Sequence, residues 1–134
     1  MSMENLEKQF IKAAKNGDLE QIKTMLADNA YLLVSYDKDG STALHCATWK
    51  GHVQLVEFLI GAGAQINIHN NNDHWGTTPL HAAAHANHAI IVQLLIEAGA
   101  DINAVDMNGK TPLFHTTFHN ASAASKILTR YGAQ

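Results

Sequence analysis

The sequence predicts an all-α fold, a solenoid of helix–turn–helix units joined by extended turn or β-hairpin fingers. Three observations carry that prediction. The run Gly40-Ser-Thr-Ala-Leu-His returns as Gly76-Thr-Thr-Pro-Leu-His and again as Gly109-Lys-Thr-Pro-Leu-Phe, at intervals of 36 and 33 residues. Recurrence at such a period marks stacked repeats. A second run, Gly61-Ala-Gly-Ala-Gln-Ile-Asn, returns as Glu97-Ala-Gly-Ala-Asp-Ile-Asn, with a partial third copy at Tyr131-Gly132-Ala133-Gln134. Between these runs the apolar residues recur at helical spacing.

The units follow in order. The first, residues 1–36, matches the others weakly, through Ala13-Ala14, Gly17 and a helix over Leu19 to Leu26. The second covers 37–72, the third 73–105 and the fourth 106–134. Thr78-Pro79 and Thr111-Pro112 read as helix starts, because a threonine hydroxyl satisfies free N–H groups and proline suits the first turn. Val53, Val56, Leu59 and Ile60 share one helical face, and Ala89, Val92, Leu95 and Ile96 repeat it. Gly63 and Gly99 follow as helix stops. Asp39-Gly40 and Asn108-Gly109 are turn dipeptides, and Asp37, Asp73 and Asp106 stand three residues before the repeat glycines. One such unit cannot bury its apolar face alone, so neighbours must stack.

These motifs resemble the ankyrin repeat. The resemblance rests on Thr78-Pro79-Leu80-His81, on the pair Gly51-His52 and on Gly99-Ala100-Asp101-Ile102-Asn103, and it is clear over residues 37–134. It implies four repeats, the first and last acting as caps. Lys12, at the position of Cys46 and Ala82, is expected to face water because a buried lysine is costly. At the other end Ser122, Ser125 and Thr129 replace the equivalents of Val53, Val56 and Ile60, so a polar outer face and a finished array are expected.

The resemblance also implies a function, protein–protein interaction through a concave groove of fingers and first helices. Carried over position by position, the groove comprises Lys38, Asp39, Ser41, Trp49 and Lys50 in the second unit. The third unit supplies His74, Trp75, Thr77, His85 and Ala86, and the fourth Met107, Asn108, Lys110, Phe118 and His119. Lys15 and Asn16 continue the row into the first unit. Phe118 occupies the repeat position of Trp49, and exposed aromatics are the usual anchors of interfaces. Three extra residues near Asn70-Asn71-Asn72-Asp73-His74 lengthen one finger, a second candidate contact.

Nine histidines raise the question of metal. His81, His85 and His88 are spaced by four and three, and His115 and His119 by four, a spacing at which two imidazoles can chelate zinc. The resemblance gives His45 and His81 a hydrogen-bonding role within and between repeats, and places His52 and His88 at the Gly-His corner. His69, His74, His85, His115 and His119 keep no framework role. Without a His-Glu-x-x-His run, and with Cys46 aligned to Ala82, no metal and no cofactor are expected. A histidine-rich metal- or pH-responsive protein is the alternative, with His85 and His119 titrating on the groove. A homo-oligomer subunit is a further one.

Composition narrows the partners. Hydrophobic residues make up 46% and charged residues 16%, a globular balance. Lys and Arg total nine, scattered, with net charge −3, so nucleic acid is not expected as a partner. The longest apolar run, Ala89 to Ile96, is far short of the roughly 20 residues that cross a bilayer. No phosphate loop or nucleophile elbow appears, and no enzymatic activity is expected. One cysteine, Cys46, and no secretory pattern suit a monomer in the cytoplasm whose partner is another protein.

Overall fold

Four helix pairs stack in chain order. The computed structural model describes residues 2–71 and 76–134. Helix α1 (Met3–Asn16) pairs with α2 (Leu19–Asp28), α3 (Ala43–Lys50) with α4 (Val53–Gly61), α5 (Pro79–His85) with α6 (Ala89–Glu97), and α7 (Pro112–His115) with α8 (Ser122–Arg130). The first helices form one layer, α1 on α3 on α5 on α7, and the second helices another. A 3-10 turn, Ala30–Val34, leads into the first finger. That finger carries a single antiparallel bridge, Tyr36 with Thr42, and there is no strand among the described residues.

The helix starts follow from local chemistry. Thr42, Thr78 and Thr111 each accept a backbone N–H three residues on, from His45, His81 and Phe114. Ser2 and Asp18 do the same for α1 and α2. Such caps are worth about 1 kcal/mol each. Helix α7 stops after one turn. The Thr116 and Thr117 hydroxyls donate back to the Leu113 and Phe114 carbonyls at 2.6 and 2.7 Å, and the N–H groups of 116–118 bond three residues back. Side-chain back-bonding of this kind competes with the helical ladder and tightens the chain toward 3-10 geometry.

The core lies between the two layers and runs unbroken from Phe10, Ile22 and Leu32 to Ala124 and Leu128. Its deepest positions in the second helices are Leu55, Val56 and Leu59 in α4 and Ile91, Val92 and Leu95 in α6. Val53, Ile60, Ala89 and Ile96 are only half-buried. The buried stripe is thus rotated from the expected one. Each second helix must cover both its own first helix and the neighbouring unit, and that wider contact centres on Leu55 and Ile91. In α8 the core is carried by Ala124 and Leu128, with Ala121 just before the helix, while Ser122 and Thr129 are exposed and Ser125 half-buried. Lys12 is exposed.

Corners between paired helices show a coupled substitution. Gly17 and Gly51 sit at φ 70° and 81°, and a Cβ there would lie 2.6 and 2.7 Å from the rings of His52 and His88. Those rings bond back to the preceding unit, His52 Nε2 with the Lys15 carbonyl at 2.8 Å and His88 Nε2 with that of Trp49 at 3.1 Å. At the third corner Asn87 replaces the glycine at φ 60°, and Ala121 replaces the histidine. The Asn87 side chain accepts the N–H of Ala124 at 3.0 Å, so it caps α8 from the neighbouring unit.

Candidate functional site

The fingers are built from one repeated turn. Asp37 Oδ1 accepts the N–H groups of Asp39 and Ser41 at 2.9 and 3.0 Å. Asp106 Oδ1 accepts those of Asn108 and Lys110 at 2.8 and 2.9 Å. In the middle finger this role belongs to Asn70, whose Oδ1 accepts the Thr77 N–H at 2.8 Å and whose own N–H donates to the Thr77 carbonyl at 2.9 Å. The pairing of Asn70 with Thr77 thus spans three more residues of sequence than that of Asp37 with Ser41. Asp73, the sequence counterpart of Asp37, lies outside the described residues, as do Asn72, His74 and Trp75.

Neighbouring fingers are tied together. Asn71 N–H donates to the Asp39 carbonyl at 2.6 Å, and the Asn70 amide donates to Ser41 Oγ at 3.1 Å. The Thr42 and Thr78 N–H groups donate to Nδ1 of His45 and His81, so Nε2 carries the proton in both rings. Each Nε2–H then reaches the next finger, at the Thr77 and Lys110 carbonyls, 2.9 Å away in both cases. Burial is the main cause that lowers the His45 pKa, and it takes His81 down to about 4. Both rings are neutral struts at pH 7.

Above these struts the first helices present an aromatic column. Trp49, His85 and Phe118, one per unit, stand with ring centroids 5.3 and 5.2 Å apart in succession, tilted by 35° and 38°. Trp49 is 48% exposed and Phe118 41%. His85 between them is half-buried. Its pKa is lowered by burial, then by His115 and His119. Lys38, Asp39, Lys50, Met107, Asn108, Lys110 and His119 are exposed, and Ser41 and Ala86 half-exposed. Thr77, expected on the exposed row, is instead buried, since the finger turn consumes its amide. The Lys110 ammonium lies over the Phe114 ring, 4.7 Å from its centroid.

Between fingers and column runs a cleft of about 330 Å³. Cys46 and Ala82 line it beside Trp49 and His85, and Asp37, Asp39, Lys15 and Lys50 supply charge. Lys15 Nζ and Asp37 Oδ2 are 4.0 Å apart. Burial first, and then Asp37, pushes the Cys46 thiol up to about 11, so it stays protonated at neutral pH. A protonated, buried thiol is a poor nucleophile.

At the far end of the cleft His115 takes the position of Cys46 and Ala82. Its Nε2 and Asp106 Oδ2 are 2.7 Å apart, with both side chains buried. Burial alone would raise the Asp106 carboxyl. The hydrogen bonds from His115 and from the Lys110 and Asn108 amides outweigh it and hold the group below its ordinary value. Sequence reasoning left this histidine without a role. The usable signal was its alignment with two core positions, nine residues after the finger aspartate, as Cys46 is nine after Asp37.

No described helix is long and apolar enough to cross a membrane. The family described as ankyrin repeats (3 copies) matches residues 5–70 and 62–134. Oxysterol-binding protein-related protein 1 of Mus musculus is 39% identical over 74 residues, 48% of this chain and 8% of that protein. Serine/threonine-protein kinase TNNI3K of Mus musculus is 43% identical over 54 residues, 40% of this chain and 6% of the kinase. Putative ankyrin repeat protein YahD of Escherichia coli (strain K12) is 37% identical over 67 residues, 50% of this chain and 33% of YahD. The matched segment thus spans a third or less of each of these relatives. The chain belongs to the ankyrin-repeat family.

Proposed function

We propose that this chain is a non-catalytic protein-interaction module, an adaptor, inhibitor or effector, that binds a partner protein along its concave surface of fingers and first helices. Ankyrin repeats are in general protein–protein interaction modules. The observation that carries the reading is the column Trp49–His85–Phe118, whose two end rings stay about half exposed beside a cleft. Large aromatic rings next to a depression supply most of the binding energy at typical interfaces. Asp39 and Lys50 at its edge would set register and specificity. The relatives support a modular role, since proteins with unrelated names share with this chain only a short repeat segment. The same reading has the chain act as a monomer in the cytoplasm, with neither nucleic acid nor membrane as partner.

The test is capture of partners by wild-type protein beside Trp49→Ala/Phe118→Ala and beside Ile90→Ala. Ile90 is exposed on the second-helix layer. A partner held by wild type and Ile90→Ala but lost by the folded double variant supports the groove. Loss with Ile90→Ala alone moves the site to the second helices.

A further inference from the structure

We propose that the cleft between the fingers and the first helices seats a single large apolar side chain of the partner protein, on a segment that carries a basic residue toward Asp39 and an acidic residue toward Lys50. This deepens the groove reading above and rests on it. Cys46 and Ala82 line the cleft beside Trp49 and His85. These two small residues leave the space open. In the fourth unit the same repeat position holds His115, which bonds to Asp106 at 2.7 Å and bounds the far end. At about 330 Å³ the cleft lies at the lower end of the roughly 300–1,000 Å³ of ligand clefts, room for one side chain and the backbone beside it.

The chemistry of the occupant follows from what the lining has left to offer. His45 and His81 each use both ring nitrogens, one for the cap amide of their own helix and one for the next finger. The Asn70 side chain is divided between Ser41 Oγ and the Thr77 N–H, and the Thr77 hydroxyl donates to Asn70 Oδ1. The Cys46 thiol is protonated, mainly because it is buried. A polar group pressed against such a lining loses its water and finds no partner, so an apolar side chain is favoured. His85 is the exception. Its ring makes no hydrogen bond among the described residues, and the one donor and one acceptor of a neutral imidazole suit the backbone that flanks the inserted side chain.

The rim sets the flanks. Lys15 Nζ and Asp37 Oδ2 lie 4.0 Å apart, and the other Asp37 oxygen holds the finger turn, so this pair is answered within the chain. Asp39 and Lys50 line the same cleft, are exposed, and enter no ion pair among the described residues. A segment with charge of one sign only sets a like charge against one of them, which is how wrong partners are rejected. One residue of each sign complements both. The same balance disfavours a uniformly anionic occupant such as a phosphate backbone.

The experiment selects peptides from a displayed library of random linear sequences on the full-length protein, then measures Kd of the synthesised winners by fluorescence anisotropy. Winners are expected to share one large apolar residue with a basic residue on one side and an acidic residue on the other. Ala82→Leu, which fills the cleft from a half-exposed helix position, should weaken them at least about tenfold. Asp39→Lys should weaken them about tenfold, and a winner whose basic residue is changed to Glu should bind Asp39→Lys more tightly than it binds wild type. Circular dichroism confirms that each variant folds, and the exposed Asp39 side chain provides a variant whose folding is not at risk. Winners that lose affinity with Trp49→Ala/Phe118→Ala but bind Ala82→Leu as tightly as wild type overturn this proposal and leave the groove reading standing. Winners indifferent to all of these variants overturn both. A library that yields no winners, or only runs of one charge, also overturns the proposal.

Discussion

Asp106 Oδ2 lies 2.7 Å from His115 Nε2, and neither side chain reaches water. The pair joins the last finger to the last first-helix, at a helix that manages only one turn. Asp106 also holds the turn of that finger through its other oxygen. Removing His115 therefore strands a buried carboxylate. His115→Ala is expected to cost about 3 kcal/mol, the penalty for leaving a buried carboxylate without its hydrogen-bond partner. Asp106→Asn should cost much less than Asp106→Ala, since Asn70 builds the equivalent finger in the middle of the chain. Urea melts of the three variants check the order.

The corners give a cycle with a defined sign. A Cβ at Gly51 would lie 2.7 Å from the His88 ring, while Asn87 carries a Cβ at the corner whose counterpart of His88 is Ala121. Gly51→Ala should destabilise by about 2 kcal/mol, combining the left-handed backbone cost with the displaced ring. In a His88→Ala background the same change should cost only the backbone part, about 1 kcal/mol. A coupling energy near 1 kcal/mol from the four melts supports the steric account, and strict additivity contradicts it.

Acid should destabilise the fold. A histidine with a folded pKa below its unfolded value of about 6.5 favours folding above 6.5 and loses that contribution as pH falls toward the folded value. His81, lowered to about 4, dominates. Across its window of about 6.5 to 4 the loss is on the order of 3 kcal/mol. The downward shifts of His45 and His85 act in the same direction. Asp106, held below its ordinary value of 3.8, adds a loss at still lower pH, as its carboxylate protonates. Melting midpoints at pH 7.5, 6, 5 and 4 should fall steadily. His81→Gln should start lower and fall less steeply.

Repeat architecture was legible because its signals are local. Thr78-Pro79 and Thr111-Pro112 announce two helices whose caps form as the hydroxyl chemistry requires. Finger register was not, because counting back from Gly76 points to Asp73, whereas Asn70 accepts the Thr77 N–H. The buried stripe was read a fraction of a turn off, since spacing alone cannot distinguish contact with one neighbour from contact with two. His115 was opaque for another reason. A histidine gives no pattern of its own, and only the three-dimensional approach of Asp106 explains its burial.

The groove was half legible. Trp49 and Phe118 could be placed by repeat position, and their partial exposure fits an anchor. Contact of both with His85 depends on ring orientations that no spacing rule contains. Thr77 shows the converse, a position on the mapped row that the turn buries.

The most direct test of the central claim is quantitative binding of a captured partner to wild type, Trp49→Ala/Phe118→Ala and Ile90→Ala. The groove account predicts a loss of at least 2 kcal/mol, roughly thirtyfold in Kd, for the double variant and less than twofold for Ile90→Ala. Equal affinity of wild type and the folded double variant would contradict it.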